Sequence, residues 1–153
     1  MAVTAEALAL PPYSESASRP PPTGVDQRLL VKDFIEDNLI ENAALERGDA
    51  HLLQYADANG MLSVNSTAIA DDLSQSTRMI SVSDSFQSVT VGTKPDPNNS
   101  GIQLALLVTG TEWTVVRHGS GPTVRKSDPF RALVWMIWSG QMRRYLRCDL
   151  AVL

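Results

Sequence analysis

The stretch Phe130 to Leu150 reads FRALVWMIWSGQMRRYLRCDL and contains the clearest periodic pattern of the chain. The turn residues Ser139-Gly140 separate two apolar runs, so the sequence predicts a β-hairpin with strands at Arg131–Trp138 and Met142–Val152. Apolar and polar side chains alternate along the second strand, which predicts one buried and one solvated face. The residues assigned to the buried face are Leu146, Cys148, Leu150 and Val152, and those assigned to the solvated face are Arg143, Tyr145, Arg147 and Asp149.

Two more strands are predicted upstream of this hairpin. Met79 to Val91 is rich in Val, Ser and Thr, and its apolar residues change parity between Phe86 and Val89, which predicts a β-bulge. Ile102 to Val116 predicts a long strand, IQLALLVTGTEWTVV. The segments KPDPNNSG (94–101) and HGSGPTVRKSDP (118–129) are rich in turn residues and are predicted to be loops.

The segment before the strands has helical periodicity. Asp26 can cap the first free amides of a helix, and Gly48 tolerates the positive φ of a helix C-terminus. Between them an apolar stripe recurs at intervals of three and four residues, with charged residues on the opposite face. The stripe is Val31, Phe34, Ile35, Asn38 and Leu39, and the charged face is Lys32, Asp33, Glu36 and Asp37.

Two shorter helical segments follow the first helix. Asp49 can cap a helix over Ala50–Ala58, and we expect the pair Asn59-Gly60 to close it. A third amphipathic segment has the apolar markers Leu62, Ile69 and Leu73. Helices followed by an antiparallel sheet predict an α+β fold, with the helices packed on one face of the sheet. Residues 25–153 are predicted to form this single domain.

Composition limits the classes of function. The chain has 153 residues, 43% of them hydrophobic and 20% charged, which is typical of one globular domain. A net charge of −4 argues against a dedicated nucleic-acid binder. Acidic residues are concentrated in the first half and basic residues near the end, which suits helices packed against a basic sheet or a polar partner surface. The single cysteine, Cys148, excludes an intramolecular disulfide and is expected to be a buried core residue.

The first 24 residues are interpreted as a disordered arm, because prolines and serines dominate them. No apolar run has the roughly 18 residues that a membrane span requires. The N-terminus also lacks the basic segment of a secretory signal. The sequence therefore predicts a cytoplasmic protein, or an extracytoplasmic one if the natural chain continues upstream of Met1.

Two stretches resemble the nuclear-transport-factor-2-like (cystatin-like cone) superfamily. ENAALERGDAHLLQYAD (41–57) is similar to the junction where the long first helix of that superfamily ends and a short helix follows. TEWTVVRH (111–118) and the hairpin sequence are similar to its final strands. The resemblance covers residues 25 to the C-terminus, and its closest pattern is that of non-catalytic bacterial accessory members. It implies a cone that can hold a hydrophobic ligand, and in some enzymes of the superfamily an Asp and a Tyr in the cone move protons.

The best enzymatic candidates are carboxylates on apolar strand faces. Glu112 shares a strand face with Leu104, Leu106 and Val108, and a carboxylate in apolar surroundings has a raised pKa suited to general acid or base catalysis. Asp84, between Val82 and Phe86, is a similar case. The alternative is that Glu112 lies at the wet end of its strand and pairs with an arginine. His51 and Tyr55, four residues apart, could line the cone mouth or form a surface pair.

No metal site or cofactor is predicted, because the two histidines and single cysteine lack any metal-ligand spacing. The sheet aromatics suggest a binding surface instead. Trp135 and Trp138 have opposite strand parity, so one of them should lie on the exterior face or the edge of the sheet. Its neighbours there would be tyrosine and arginine, a composition typical of interface anchors. We therefore favour a non-enzymatic interaction or accessory module that binds a protein partner or dimerises, over a small hydrophobic-ligand binder or an isomerase- or dehydratase-type enzyme. The expected interface residues are Trp135, Trp138, Arg143, Tyr145 and Arg147.

Overall fold

The computed structural model describes residues 24–153, so the predicted N-terminal arm lies outside the described residues. Helices pack on one face of an open four-stranded antiparallel sheet, which confirms the predicted α+β class. The chain forms helix α1 (Gln27–Arg47), a 3-10 helix (Ala50–Tyr55), helix α2 (Asn59–Ser74) and strands β1 (Thr77–Thr93), β2 (Leu104–His118), β3 (Thr123–Ser139) and β4 (Arg144–Val152). Each strand pairs with the next one along the chain, in the order β1-β2-β3-β4.

The ends of α1 form as the sequence predicts. The Asp26 carboxylate accepts hydrogen bonds from the backbone amides of Arg28 and Leu29, at 3.0 and 3.2 Å. Gly48 ends the helix in the left-handed region with φ 62°. An alanine there would be strained, because its Cβ would also lie 3.2 Å from Leu73 Cδ2.

The second and third helical segments differ from the prediction. The short helix is a 3-10 helix that ends at Tyr55, and Asn59-Gly60 opens α2 instead of closing the short helix. The cause is the pairing of the intervening residues with β4. The amide of Ala58 donates to the carbonyl of Arg147, and the amide of Arg147 donates to the carbonyl of Ala56. This extended segment separates the two helices.

Strand β3 is longer than predicted. Most of the predicted loop HGSGPTVRKSDP is strand, and only residues 119–122 connect β2 to β3. Residues 123–129 are all exposed and only Val124 and Pro129 among them are apolar, so no apolar alternation identifies them as a strand. Pro129 is tolerated because β4 pairs with β3 only from Ala132 onward, which leaves the proline on a free edge.

The main core lies between α1 and the sheet. Leu30, Phe34 and Ile35 pack against side chains from all four strands. The predicted β-bulge of β1 is present, since the register with β2 shifts between Phe86 and Ser88. Among residues 24–153, no helix combines the length and apolar character needed to cross a membrane. The sheet residues that pack against α1 in the main core are Phe86, Leu106, Val108, Val134, Met136 and Tyr145.

The predicted wet face of β4 is only partly correct, because Arg143 is exposed and Asp149 partly exposed but the two residues between them on that face are buried. Tyr145 and Arg147 are only 3% exposed, whereas the apolar Leu150 and Val152 are 43% and 75% exposed. The physical reason is that α1 and the segment before α2 pack on the arginine face and supply carboxylates to it. Asp33 and Asp37, which were assigned to the solvated face of α1, are correspondingly buried.

Candidate functional site

A buried ion-pair network joins the helical layer to β4. The Arg144 guanidinium contacts Asp37 at 2.7 Å and Glu36 at 3.3 Å. Asp33 accepts the backbone amide of Tyr145 at 2.9 Å. Burial raises the pKa of Asp37 well above its ordinary value, and the charge of Arg144 opposes this shift. These contacts fix the height of α1 above the sheet.

Arg147 forms the second half of this network. Its guanidinium contacts Glu41 at 2.5 Å and Asp57 at 2.6 Å, and Asp57 also accepts a hydrogen bond from the amide of Asn65 at 2.8 Å. Burial alone would lower the pKa of Arg147, but the neighbouring carboxylates raise it overall, so the residue stays charged. Arg147 is therefore a buried cation that is held by α1 and by the extended segment before α2.

A cavity of about 690 Å³ lies between the helical layer and the sheet. Most of its wall is apolar, and three aromatic rings form part of it. The ring centroids of Phe34 and Phe86 are 5.3 Å apart, and those of Phe86 and Phe130 are 6.2 Å apart. Three exposed apolar residues, Val64, Leu150 and Val152, also line it. The cavity is thus accessible to an apolar molecule.

A row of three carboxylates crosses one part of this wall. Asp84 on β1 is the register partner of Glu112 on β2, and Glu112 is the register partner of Asp128 on β3. All three residues line the cavity. We call Asp84, Glu112 and Asp128 the carboxylate row.

The polar contacts of the row come from α1. The side-chain amides of Asn38 and Asn42 both donate to the Asp84 carboxylate, at 2.8 and 3.0 Å. Glu112 is hydrogen-bonded to Asp84. Burial, followed by the charge and hydrogen bond of Asp84, raises the pKa of Glu112 to about 7. Glu112 therefore changes its protonation near neutral pH.

The structure brings together some of the predicted catalytic residues and separates others. Glu112 and Asp84 share the cavity, and neither pairs with an arginine among the described residues. His51 is exposed and Tyr55 is partly exposed, and neither lines the cavity. They do not share a helical face as predicted, because a 3-10 helix has three residues per turn instead of 3.6.

The predicted exposed aromatic–arginine patch does not form. Trp135 is 2% exposed, and its indole nitrogen donates to the carbonyl of Lys94 at 2.8 Å. Tyr145 and Arg147 are buried under the helices. Of the five expected interface residues, only Trp138 is partly exposed and Arg143 exposed.

Sequence reasoning missed Asp128 and Glu41. Asp128 was placed in a loop, although its register with Glu112 becomes apparent once β3 is extended to Thr123. Glu41 lies in α1 and reaches the cavity only through the tertiary contact with Arg147. Within residues 24–153, no group of His, Cys, Asp or Glu side chains is arranged to hold a metal ion.

The architecture defines a class of fold, an open antiparallel meander with helices covering one face. The crystal structure of the intermembrane space region of chloroplast protein ARC6 is similar to it, with a TM-score of 0.65 and 12% sequence identity, over 86% of this chain and 98% of that one. At that identity the likeness shows the fold alone. No protein-family model matches the chain, and no curated protein matches its sequence.

Proposed function

We propose that the cavity binds a small molecule with an apolar body and a protonated amine head. The observation that carries this proposal is the carboxylate row, which lies on an otherwise largely apolar wall. The body of such a ligand would contact the Phe86 and Phe130 rings, and its ammonium group would meet the row. Burial of apolar surface supplies the affinity, and the charged head fixes the orientation.

The charges around the cavity favour a cation. Within residues 24–153, five carboxylate residues line it and only one arginine, Arg147, which is already paired with Glu41 and Asp57. The raised pKa of Glu112 reflects repulsion from Asp84 in addition to burial. A bound ammonium group would relieve this repulsion, whereas a carboxylate ligand would add to it. The five carboxylate residues that line the cavity are Glu41, Asp84, Glu112, Asp128 and Asp149.

Isothermal titration of the full chain with octylamine, octanoate and octanol at pH 8 tests this proposal. The three probes share an apolar tail and differ in head charge, so octylamine should bind at least tenfold more tightly than octanoate. Asp128→Asn, an exposed position in the row, should weaken octylamine binding severalfold. Asp71→Asn, an exposed carboxylate outside the cavity, should leave it unchanged. Equal binding of all three probes, or equal effects of the two variants, would contradict a cation site.

A second candidate function is proton transfer by Glu112. A pKa of about 7 places this carboxyl group near the value that suits a general base or acid at neutral pH, and Asp84 lies beside it. The isomerisation of 3-cyclohexenone to 2-cyclohexenone is a suitable probe reaction. Catalysis by ionised Glu112 predicts a rate that rises with pH through about 7 and is lost in Glu112→Gln. A rate with no pH dependence in this range, or one retained in the variant, excludes this role.

The interaction module that the sequence favoured stays a hypothesis. Its support was an exposed aromatic–arginine patch, and three of its five residues are buried. Of the other two, Trp138 is partly exposed and Arg143 is exposed.

A further inference from the structure

A second cavity, of about 560 Å³, shares no lining residue with the first. It lies where α1 and α2 end and the β1–β2 pair begins. Three arginines line it, and they come from three separate elements: Arg47 from the last turn of α1, Arg78 from β1 and Arg117 from β2. We call these residues the arginine cluster.

Two of these arginines are placed where their charges repel each other. Arg78 and Arg117 are direct register partners in the β1–β2 pair. Like charges directly opposite on neighbouring strands destabilise a sheet. Among the described residues, neither arginine forms an ion pair that would offset this repulsion, and Arg47 forms none either.

The Arg117 side chain has an unsatisfied donor. Its Nε atom is buried and has no hydrogen-bond partner within residues 24–153. A buried donor without an acceptor destabilises the folded state. The guanidinium group, with its planar arrangement of donors, matches the oxygens of a phosphate group, which would accept from Nε and a terminal nitrogen together.

The acidic residues of this cavity do not neutralise the cluster. Glu46 and Asp72 line it, so among the described residues three positive and two negative groups leave a formal excess of one positive charge. Glu46 is already engaged, because its Oε1 accepts the backbone amide of Val82 at 2.9 Å. Asp72 forms no ion pair with any arginine of the described chain.

From these observations we infer that the arginine cluster is a binding site for a phosphate group. The group would lie between Arg47, Arg78 and Arg117, offset the repulsion of the cross-strand pair and accept a hydrogen bond from the buried Nε of Arg117. The site is independent of the proposed amine site. The phosphate could belong to a free small molecule or to a lipid headgroup, and both present the same oxygens to the arginines.

The test is an NMR titration of the full chain with inorganic phosphate, observing the arginine Nε–Hε resonances at constant ionic strength against sodium chloride. We expect a saturable shift of the Arg117 resonance with phosphate and none with chloride. Arg78→Gln should weaken phosphate binding about tenfold, since it removes one of three charged contacts. Arg28→Gln removes an exposed arginine at the other end of α1 and is the matched control. Arg78 is itself exposed, so its variant is expected to fold, and the dispersion of the amide spectrum checks this.

Cosedimentation with phosphatidylcholine vesicles that contain phosphatidic acid distinguishes the two sources. Phosphate binding without vesicle binding supports a free phosphate compound. Sedimentation that requires phosphatidic acid, is lost in Arg78→Gln and is competed by phosphate supports a headgroup. The inference is overturned if phosphate and chloride act alike, or if Arg78→Gln and Arg28→Gln bind equally.

Discussion

Arg147 lies between two carboxylates from different parts of the helical layer. Glu41 belongs to α1, and Asp57 belongs to the extended segment before α2. The three groups are accommodated only as a set, because burial of any one of them alone would carry a desolvation cost of several kcal/mol. These two ion pairs hold α1, the extended segment and β4 together at one side of the cavity.

Removal of the Arg147 charge should therefore be strongly destabilising. Arg147→Met keeps much of the side-chain volume but leaves the buried Asp57 and the partly buried Glu41 without a cation, so we expect a loss of about 3–5 kcal/mol in the free energy of unfolding. Arg131→Met, at an exposed position on β3, should cost less than about 0.5 kcal/mol. Urea denaturation of both variants measures the difference, and equal stabilities would refute the assignment of Arg147 as a paired buried cation.

Glu112 should give the stability an unusual pH dependence. Its pKa is about 7 in the folded chain and 4.5 as an ordinary glutamate, so the folded state retains a proton that the unfolded state has lost between these two values. Unfolding then releases a proton, and the free energy of unfolding falls as the pH rises from 4.5 to 7.

Glu112→Gln should remove this contribution. At pH 8 we expect the free energy of unfolding of the variant to exceed that of the natural chain by about 1–2 kcal/mol, a value that is reduced because Glu112 is partly exposed. At pH 4.5 we expect little difference between the two. Urea denaturation at the two pH values is the measurement, with Asp71→Asn as the control. A gain of the same size at both pH values would show that the effect does not come from the titration of Glu112.

At the scale of the elements, Gly110 allows β2 to pass beneath an aromatic pair. Its register partners are Phe86 on β1 and Phe130 on β3, whose rings meet edge to face. A Cβ atom at this position would lie 2.4 Å from the Ser85 carbonyl oxygen and 3.0 Å from Phe130 Cζ. The absence of a side chain thus lets the two rings form the cavity wall.

Gly110→Ala should consequently destabilise the fold by about 1–3 kcal/mol, because the strand and the Phe130 ring must both shift. Gly92→Ala is the matched control, since Gly92 is also in a strand and a Cβ there would contact nothing within 4 Å. Thermal denaturation should place Gly110→Ala below Gly92→Ala in Tm. Equal Tm values would mean that the backbone around Gly110 adapts without cost.

The sequence allows local features of these elements to be predicted better than tertiary ones. Asp26, Gly48 and the bulge after Phe86 could be identified because capping and parity depend only on neighbouring residues. Asp84 and Glu112 were identified as carboxylates on apolar faces. Arg147 was assigned to the wrong environment, because strand alternation cannot tell which face receives the helices. Asp128 was missed because residues 123–129 of its strand show no apolar alternation.

At the scale of the whole molecule, the helical layer covers the sheet only in part and leaves the cavity beside its ion pairs. The hydrophobic core between α1 and the sheet forms one side of the cavity, and the carboxylate row lines part of the cavity wall. The row carries negative charge that the cavity's own arginine does not neutralise, since Arg147 is committed to Glu41 and Asp57. This combination is the basis of the proposed amine site.

The most direct test of that site is a carbon-13 NMR titration of the Glu112 side-chain carboxyl group with and without saturating octylamine. An ammonium group beside Glu112 favours the ionised carboxylate, so the apparent pKa should fall from about 7 by about one pH unit or more. Octanol, which has the same tail without the charge, should not lower it. An apparent pKa that stays near 7 while octylamine is bound would contradict the account.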